Sequence, residues 1–298
     1  MDRLQAMSTF VAVVDSGGFA SAARKLKLSP PVVTRAVAEL EERLGLRLLT
    51  RTTRFVRVTE AGARYAEDCR RILGEIEEAE SAASCTHAAP RGTLTLTAPV
   101  LFGHMYVTPV LARYLQRHPE VDAQCLFLDR MTNLIEEGID VAVRIGELPD
   151  SSLQAIRVGR VRRTLVATPA YLAAHGRPQQ PEALAAHSII TPGLGPTVDW
   201  RFSHGGQPVV QRLRPRMRTT SNDSAIAAAL AGLGITRLLS YQVAGLVASG
   251  ALVRLMEDFE PAAVPIHVLH HEGRRVTQKV RAFVDMAVDA LRADPALS

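Results

Sequence analysis

The chain has 298 residues, 47% of them hydrophobic, with 35 Lys and Arg against 30 Asp and Glu and a formal net charge of +5. That length holds two or three domains, and that apolar share supports buried cores. No apolar run reaches the eighteen or so residues that span a bilayer, no signal-peptide pattern opens the chain, and Cys69, Cys85 and Cys125 have neither disulfide-framework nor zinc spacing. A cytoplasmic protein without metal or cofactor is therefore expected.

The charge is unevenly spread. Residues 1–64 carry 11 basic and 6 acidic side chains, and residues 65–90 carry 2 basic and 6 acidic ones. A basic head followed by an acidic neck is the electrostatic footprint of a polyanion binder. In the head, Leu4, Met7, Phe10, Val11 and Val14 recur at helical spacing and predict a first helix ended by Gly17-Gly18. Phe19, Ala22, Ala23 and Leu26 predict a short second helix whose alanines admit a close neighbour. Ser29 then reads as an N-cap with Pro30 at the first helical position. Val33, Val37, Leu40 and Leu44 form one buried face of a third helix closed by Gly45. Its opposite face presents Thr34 and Arg35. Two helices joined by a short turn, the second with Thr and Arg near its start, match a helix-turn-helix. Thr50 to Arg54 and Phe55 to Val58 alternate as two short strands, a wing whose Arg51 and Arg54 are placed to follow phosphates.

Thr59 predicts the cap of a fourth helix. Tyr65, Cys69, Ile72 and Ile76 step along it as an apolar seam between Glu and Asp residues. The seam reads as a dimer contact, because a palindromic site needs two heads at fixed separation. The alternative is an amphipathic helix packed on its own chain. Beyond a hinge at Ala88–Gly92, strands and helices alternate: strand Thr93–Thr97, a helical run Val100–Leu115, strand Ala123–Leu128, a short helix Asn133–Glu137 and strand Val141–Ile145. From Thr164 follow strand Leu165–Thr168, helices Pro169–Ala174 and Pro181–His187, strand Ile189–Ile190, helix Asp223–Ala231, strands Gly234–Leu238 and Ile266–His270, and a closing helix Thr277–Leu291. Such alternation predicts mostly parallel α/β sheets. Two units with a crossover back read as a clamshell, with ligands beyond the C-terminal strand ends and anions at helix N-termini. The candidate cleft residues are Thr97, Ala98, Pro99, Val100, Arg144, Gly146, Thr191, Ser221, Asn222 and Thr236. Arg144 and Ser221 suit a carboxylate.

The head resembles the LysR-type transcriptional regulators at residue level. The match runs through Phe10, Val14, Ser16-Gly17-Gly18-Phe19, Ala22-Ala23, Leu26, Leu28-Ser29, Thr34-Arg35, Leu40-Glu41, Leu44-Gly45, Leu48, Arg51-Thr52-Thr53-Arg54 and Thr59-Glu60-Ala61-Gly62. Arg91-Gly92, Thr97-Ala98-Pro99, Gly103, His118-Pro119, Asp129-Arg130, Glu137 to Ala142, Arg144-Ile145-Gly146 and Leu148 to Leu153 resemble the CrgA-like branch. The resemblance implies a winged helix-turn-helix over 1–58, a linker dimerisation helix over 59–87, and a periplasmic-binding-protein-like regulatory domain over 88–298. Its subdomain I covers about 91–162 and 266–298, and its subdomain II about 163–265. It further implies a homodimer or homotetramer on an inverted-repeat operator in double-stranded DNA and a small organic effector, with RNA polymerase a partner compatible with that role. Ser29, Pro30, Pro31, Val33, Thr34 and Arg35 should face the duplex, with Arg51, Thr52, Thr53 and Arg54 at the wing. Many members have Gln where this chain has Pro30. Gln reads adenine edges and Pro does not, so readout falls to Arg35 and to apolar contact from Pro31 or Val33 with thymine methyls.

The rival readings are an enzyme, a solute receptor, or a small-molecule-binding α/β protein with an accessory DNA-binding head. The nine histidines form no H-E-x-x-H, and there is no G-x-S-x-G elbow or P-loop, so no catalytic residue is assigned. A solute receptor needs an export signal and no basic head. An architectural DNA protein needs no large α/β part.

Overall fold

The computed structural model describes residues 2–51, 56–83, 89–130, 132–148, 153–271 and 277–297. The chain forms two units, Met1–Ala88 and Ala89–Ser298.

The first unit contains α1 (Arg3–Asp15), α2 (Phe19–Leu26), α3 (Pro30–Leu44), a two-stranded wing of β1 (Leu49–Arg51) and β2 (Val56–Val58), and α4 (Glu60–Ala83). Phe10, Val13, Ala22, Ala23, Val33, Val37, Leu40 and Leu48 fill one core. Gly45 closes α3 in the left-handed region, at φ 66°. Ser29 has the extended backbone of an N-cap, but its hydroxyl makes no capping bond; Pro30 supplies the start.

Glu41 is buried, and one carboxylate oxygen accepts from the backbone N–H of Leu48 (2.8 Å) and Leu49 (2.9 Å). It thereby ties the end of α3 to the wing. The Thr59 hydroxyl accepts from Gly62 N (2.9 Å) and donates to the Arg47 carbonyl (2.9 Å), as a cap of α4 that also holds the chain before the wing. A Cβ at Gly62 would strike the Leu48 carbonyl oxygen, so only glycine fits there.

The neck seam departs from the dimer expectation. Cys69 is 0% exposed and joins the core of its own head, as does Ala66. The Tyr65 ring lies 5.9 Å from that of Phe10, Ile72 packs at the core's margin, and Arg70 pairs with Asp15 at 2.5 Å. The first turns of α4 are therefore spent on α1. Ile76, one turn further on, is half-buried and is not part of this core.

In the second unit, β3 (Gly92–Ala98) leads into α5 (Val100–Phe102), a π-helical turn Gly103–Val107, α6 (Thr108–Arg117), β4 (Val121–Phe127), β5 (Val141–Ile145) and β6 (Leu153–Val161). Next come β7 (Arg163–Ala167), α7 (Pro169–His175), a 3-10 turn Pro181–Ala186, β8 (Ile189–Pro192), and the hairpin β9 (Val198–His204) and β10 (Gln207–Leu213). The unit ends with β11 (Met217–Thr219), α8 (Asn222–Leu230), β12 (Ile235–Leu239), α9 (Ser240–Ala248), β13 (Val253–Leu255), β14 (Val264–His271) and α10 (Gln278–Arg292).

Sheet I has strand order β4-β3-β5-β14-β6 and sheet II β11-β8-β12-β7-β13. Four of the five strands in each sheet point the same way, as expected, and one runs against them. Strand β14 runs antiparallel to β5 and β6, and β7 runs antiparallel to β12 and β13. The reversed strand in each sheet is the one by which the chain enters from the other sheet: β7 follows β6, and β14 follows β13. Asn133–Glu137 is not a helix. Glu137 N donates to Asn133 O (3.0 Å), and Gly138 at φ 62° stops the turn. Helices α6 and α10 bury Tyr114, Phe283 and Val284 against sheet I. The β9–β10 hairpin lays Trp200 and Phe202 on sheet II. The Arg237 guanidinium sits 5.8 and 5.5 Å from those rings and donates to Arg201 O at 3.0 Å, and burial pulls its pKa down to about 10.

Candidate nucleic-acid interface and effector site

One helix sorts the head's residues into two sets. Val33, Val37 and Leu40 point into the core, so Pro31, Val32, Thr34, Arg35 and Glu39 lie outside it. Pro30, Pro31 and Arg35 are exposed, and Thr34 is half-buried. Val33 is 0% exposed, which corrects the expectation that it faces a duplex. Beside Pro30 and Pro31, α3 presents the apolar side chain of Val32, 39% exposed. The same 3-4 spacing that buried Val33 could have shown this. Arg35 is 82% exposed along its side chain, and its Nε donates to Glu39 at 2.8 Å. That bond holds the Glu39 carboxyl below its ordinary range. The pair orients Arg35 along the helix, and a base edge must compete with Glu39 for it. Arg51 lies on β1. Thr52, Thr53 and Arg54 fall outside the described residues.

In the second unit many candidate polar groups are already committed. Thr97 donates to Leu126 O at 2.5 Å inside sheet I, and Ala98 is fully buried. Thr236 is also fully buried, with no partner for its hydroxyl among the described residues. Strand alternation aims Thr236 at the core of Val166, Ile190, Ala225 and Leu238, so it belongs to that core rather than to a cleft. Ser221 caps α8 by accepting from Ser224 N at 3.2 Å. The N-terminus of α5, expected to hold an anion, is taken by the chain's own Asp129, which accepts from Val100 N at 3.0 Å.

What remains gathers at two sheet ends. Pro99, Val100 and Gly146 follow β3 and β5, which run parallel. Thr191 at the end of β8, with Ser221 and Asn222 after β11, follows two parallel strands of sheet II. Near these ends the two sheets are in contact. Tyr241, directly after β12, packs edge-on against Phe102 (5.3 Å) and Tyr106 (5.7 Å), the rings that follow β3. At the crossing, Arg162 and Ser240 exchange bonds of 2.8 and 3.2 Å. These joining residues come from segments far apart in the sequence, and the sequence reading missed them.

Arg144 is 8% exposed and donates to the hydroxyl of Thr132. Its neighbour Glu137 is already held by both Arg130 nitrogens at 3.0 Å. Burial therefore lowers the Arg144 pKa, with no carboxylate in ion-pair distance among the described residues. Among the described residues there is no group of three or more His, Cys, Asp or Glu that would hold a metal, and no helix long and apolar enough to cross a membrane.

The comparisons with known proteins agree with this arrangement. A family model described as the LysR substrate binding domain matches residues 87–292, and one described as the bacterial regulatory helix-turn-helix protein, lysR family, matches residues 4–63. An HTH-type transcriptional regulator of Xanthomonas campestris is 36% identical over 96% of this chain and 84% of its own length. The solved structure of CrgA, a LysR-type transcriptional regulator from Neisseria meningitidis, is 33% identical, covers 96% of this chain and 98% of that one, and has a TM-score of 0.61. The full-length virulence activator AphB of Vibrio cholerae is 27% identical, covers 97% of this chain and 99% of that one, and has a TM-score of 0.62. A winged helix-turn-helix, a linker helix and a two-sheet α/β regulatory unit thus stand in the family's order, and the chain belongs to the LysR family of DNA-binding transcriptional regulators.

Proposed function

We propose that this regulator grips an inverted-repeat operator as a homodimer or homotetramer, through Ser29, Pro30, Pro31, Val32, Thr34 and Arg35 of α3 and through a wing containing Arg51, Thr52, Thr53 and Arg54. The observation that carries the reading is the sorting of α3: an apolar face sealed in the head and a short polar face left outside with Arg35 at its centre. Such a helix fits the major groove, where a guanidinium reads guanine. Replacement of Arg35 by Ala should cost about 1–3 kcal/mol on the specific site and much less on random duplex, read by salt-controlled binding titrations. Equal losses on both duplexes would reduce Arg35 to a phosphate contact.

The effector in this reading is a small carboxylate, bound between the ends of sheets I and II, with Arg144 as its charge partner and Pro99, Val100, Gly146, Thr191, Ser221 and Asn222 around it. A buried guanidinium bonded to a hydroxyl rather than a carboxylate supports an anion there. Carboxylates that raise the melting temperature of the chain should fail to do so with Arg144→Met; an undiminished shift would move the effector elsewhere. The CrgA-like branch, cytoplasmic residence and contact with RNA polymerase complete the proposal.

A further inference from the structure

The β10–β11 segment carries a charge pattern that neither the head nor the effector reading uses. Arg212, Arg214, Arg216 and Arg218 occupy alternate positions and are all exposed. The residues between them are turned inward: Leu213 is buried in the hairpin core, and Met217 packs beneath α8. The arginines are thus fixed outward by a rigid scaffold rather than borne on a tail. The chain leaves the hairpin at Leu213, bends at Arg216 and enters sheet II at Met217, so the four arginines are carried on the passage from one sheet to the other.

No Asp or Glu occurs between Trp200 and Asn222, while Arg201 adds a fifth exposed guanidinium on β9. Asp199 lies 3.9 Å from Arg212, and Arg212 also donates to the Thr197 hydroxyl at 3.3 Å. Arg216 donates to the Ser188 hydroxyl at 3.2 Å. Among the described residues no carboxylate lies within ion-pair distance of Arg214, Arg216 or Arg218. Like charges repel, and among the described residues only Arg212 of these four has a carboxylate within ion-pair distance.

We infer that the Arg212–Arg218 stripe is a second DNA contact, which binds phosphates of duplex flanking the operator without reading sequence. A repeated cation row fits a repeated anion better than a single small ligand, and duplex DNA is the polyanion this family of regulators already engages. The inference rests on the head binding an operator as proposed above.

The test uses the full chain and its Arg212→Gln/Arg214→Gln variant. The probes are an operator recovered by selection of genomic fragments, trimmed to its protected core, and the same core extended on both sides with random sequence. Wild type should bind the long duplex more tightly than the core. On the long duplex the variant's plot of log affinity against log salt should be shallower by about 2, for roughly two phosphates lost. On the core, variant and wild type should agree. Identical slopes on the long duplex would overturn the inference. So would a variant that loses binding to anionic phospholipid vesicles while its DNA slopes are unchanged, which would assign the stripe to a membrane surface. Failure of wild type to bind the core would instead refute the operator reading, a distinct result.

Discussion

The start of α3 and the regulatory unit use polar side chains in opposite ways. Glu41 near the end of α3 is spent on internal bonds, but at the start of the helix the residues left outside the core are the ones available to a partner. In the regulatory unit, exposure has to be checked residue by residue, because hydroxyls and helix ends are consumed internally: Thr97 by a neighbouring strand, Ser221 by its own helix, and the α5 N-terminus by Asp129. A DNA-reading surface can be assembled from local periodicity. A ligand site between two sheets depends on which long-range contacts have already claimed each group.

The sharpest way to separate the two units is to break one alone. Glu41→Ala strands two buried backbone N–H groups and should destabilise the head by about 3 kcal/mol. The single tryptophan, Trp200, belongs to the regulatory unit. Its fluorescence transition in urea should therefore stay put while a helical far-UV transition moves to lower denaturant. Coincident movement of both would mean that the units unfold as one.

The next effect concerns the neck. Ile76→Asp should shift a sedimentation profile from dimer toward monomer without unfolding, because Ile76 lies beyond the packed turns of α4. Cys69→Asp should instead unfold the head, because Cys69 is sealed in it. A dimer that survives Ile76→Asp would remove this part of α4 from the interface. The smallest effect is expected for Glu39→Gln. It removes the negative charge opposite Arg35 and should raise operator affinity on the order of a few-fold, as exposed pairs are weak. Lowered affinity would show that Glu39 serves to aim Arg35.

Much of the fold was readable because its causes are local. The steps Val33, Val37 and Leu40, the Pro30 start and the Gly45 stop place α3, and Thr59 places α4. The β9–β10 hairpin also carried a local signal that went unread: Gly205-Gly206, both at positive φ, between alternating strands. Strand β6 was missed for a different reason. It joins sheet I through β14, more than a hundred residues later, and its own burial pattern does not alternate cleanly. The neck seam misled at Cys69 because heptad spacing is the same whether a stripe meets another chain or α1. The contact between the two sheets runs through Phe102, Tyr106 and Tyr241, aromatic neighbours from distant segments that no spacing rule connects.

Guanine N7 methylation protection on the selected operator, with wild type and Arg35→Ala compared at matched occupancy, tests the placement of α3 most directly. Protection of guanines in each half-site by wild type, lost at one position per half-site in the variant while the rest persist, is the predicted result. An operator whose guanine N7 atoms stay equally reactive with and without wild-type protein would contradict the account.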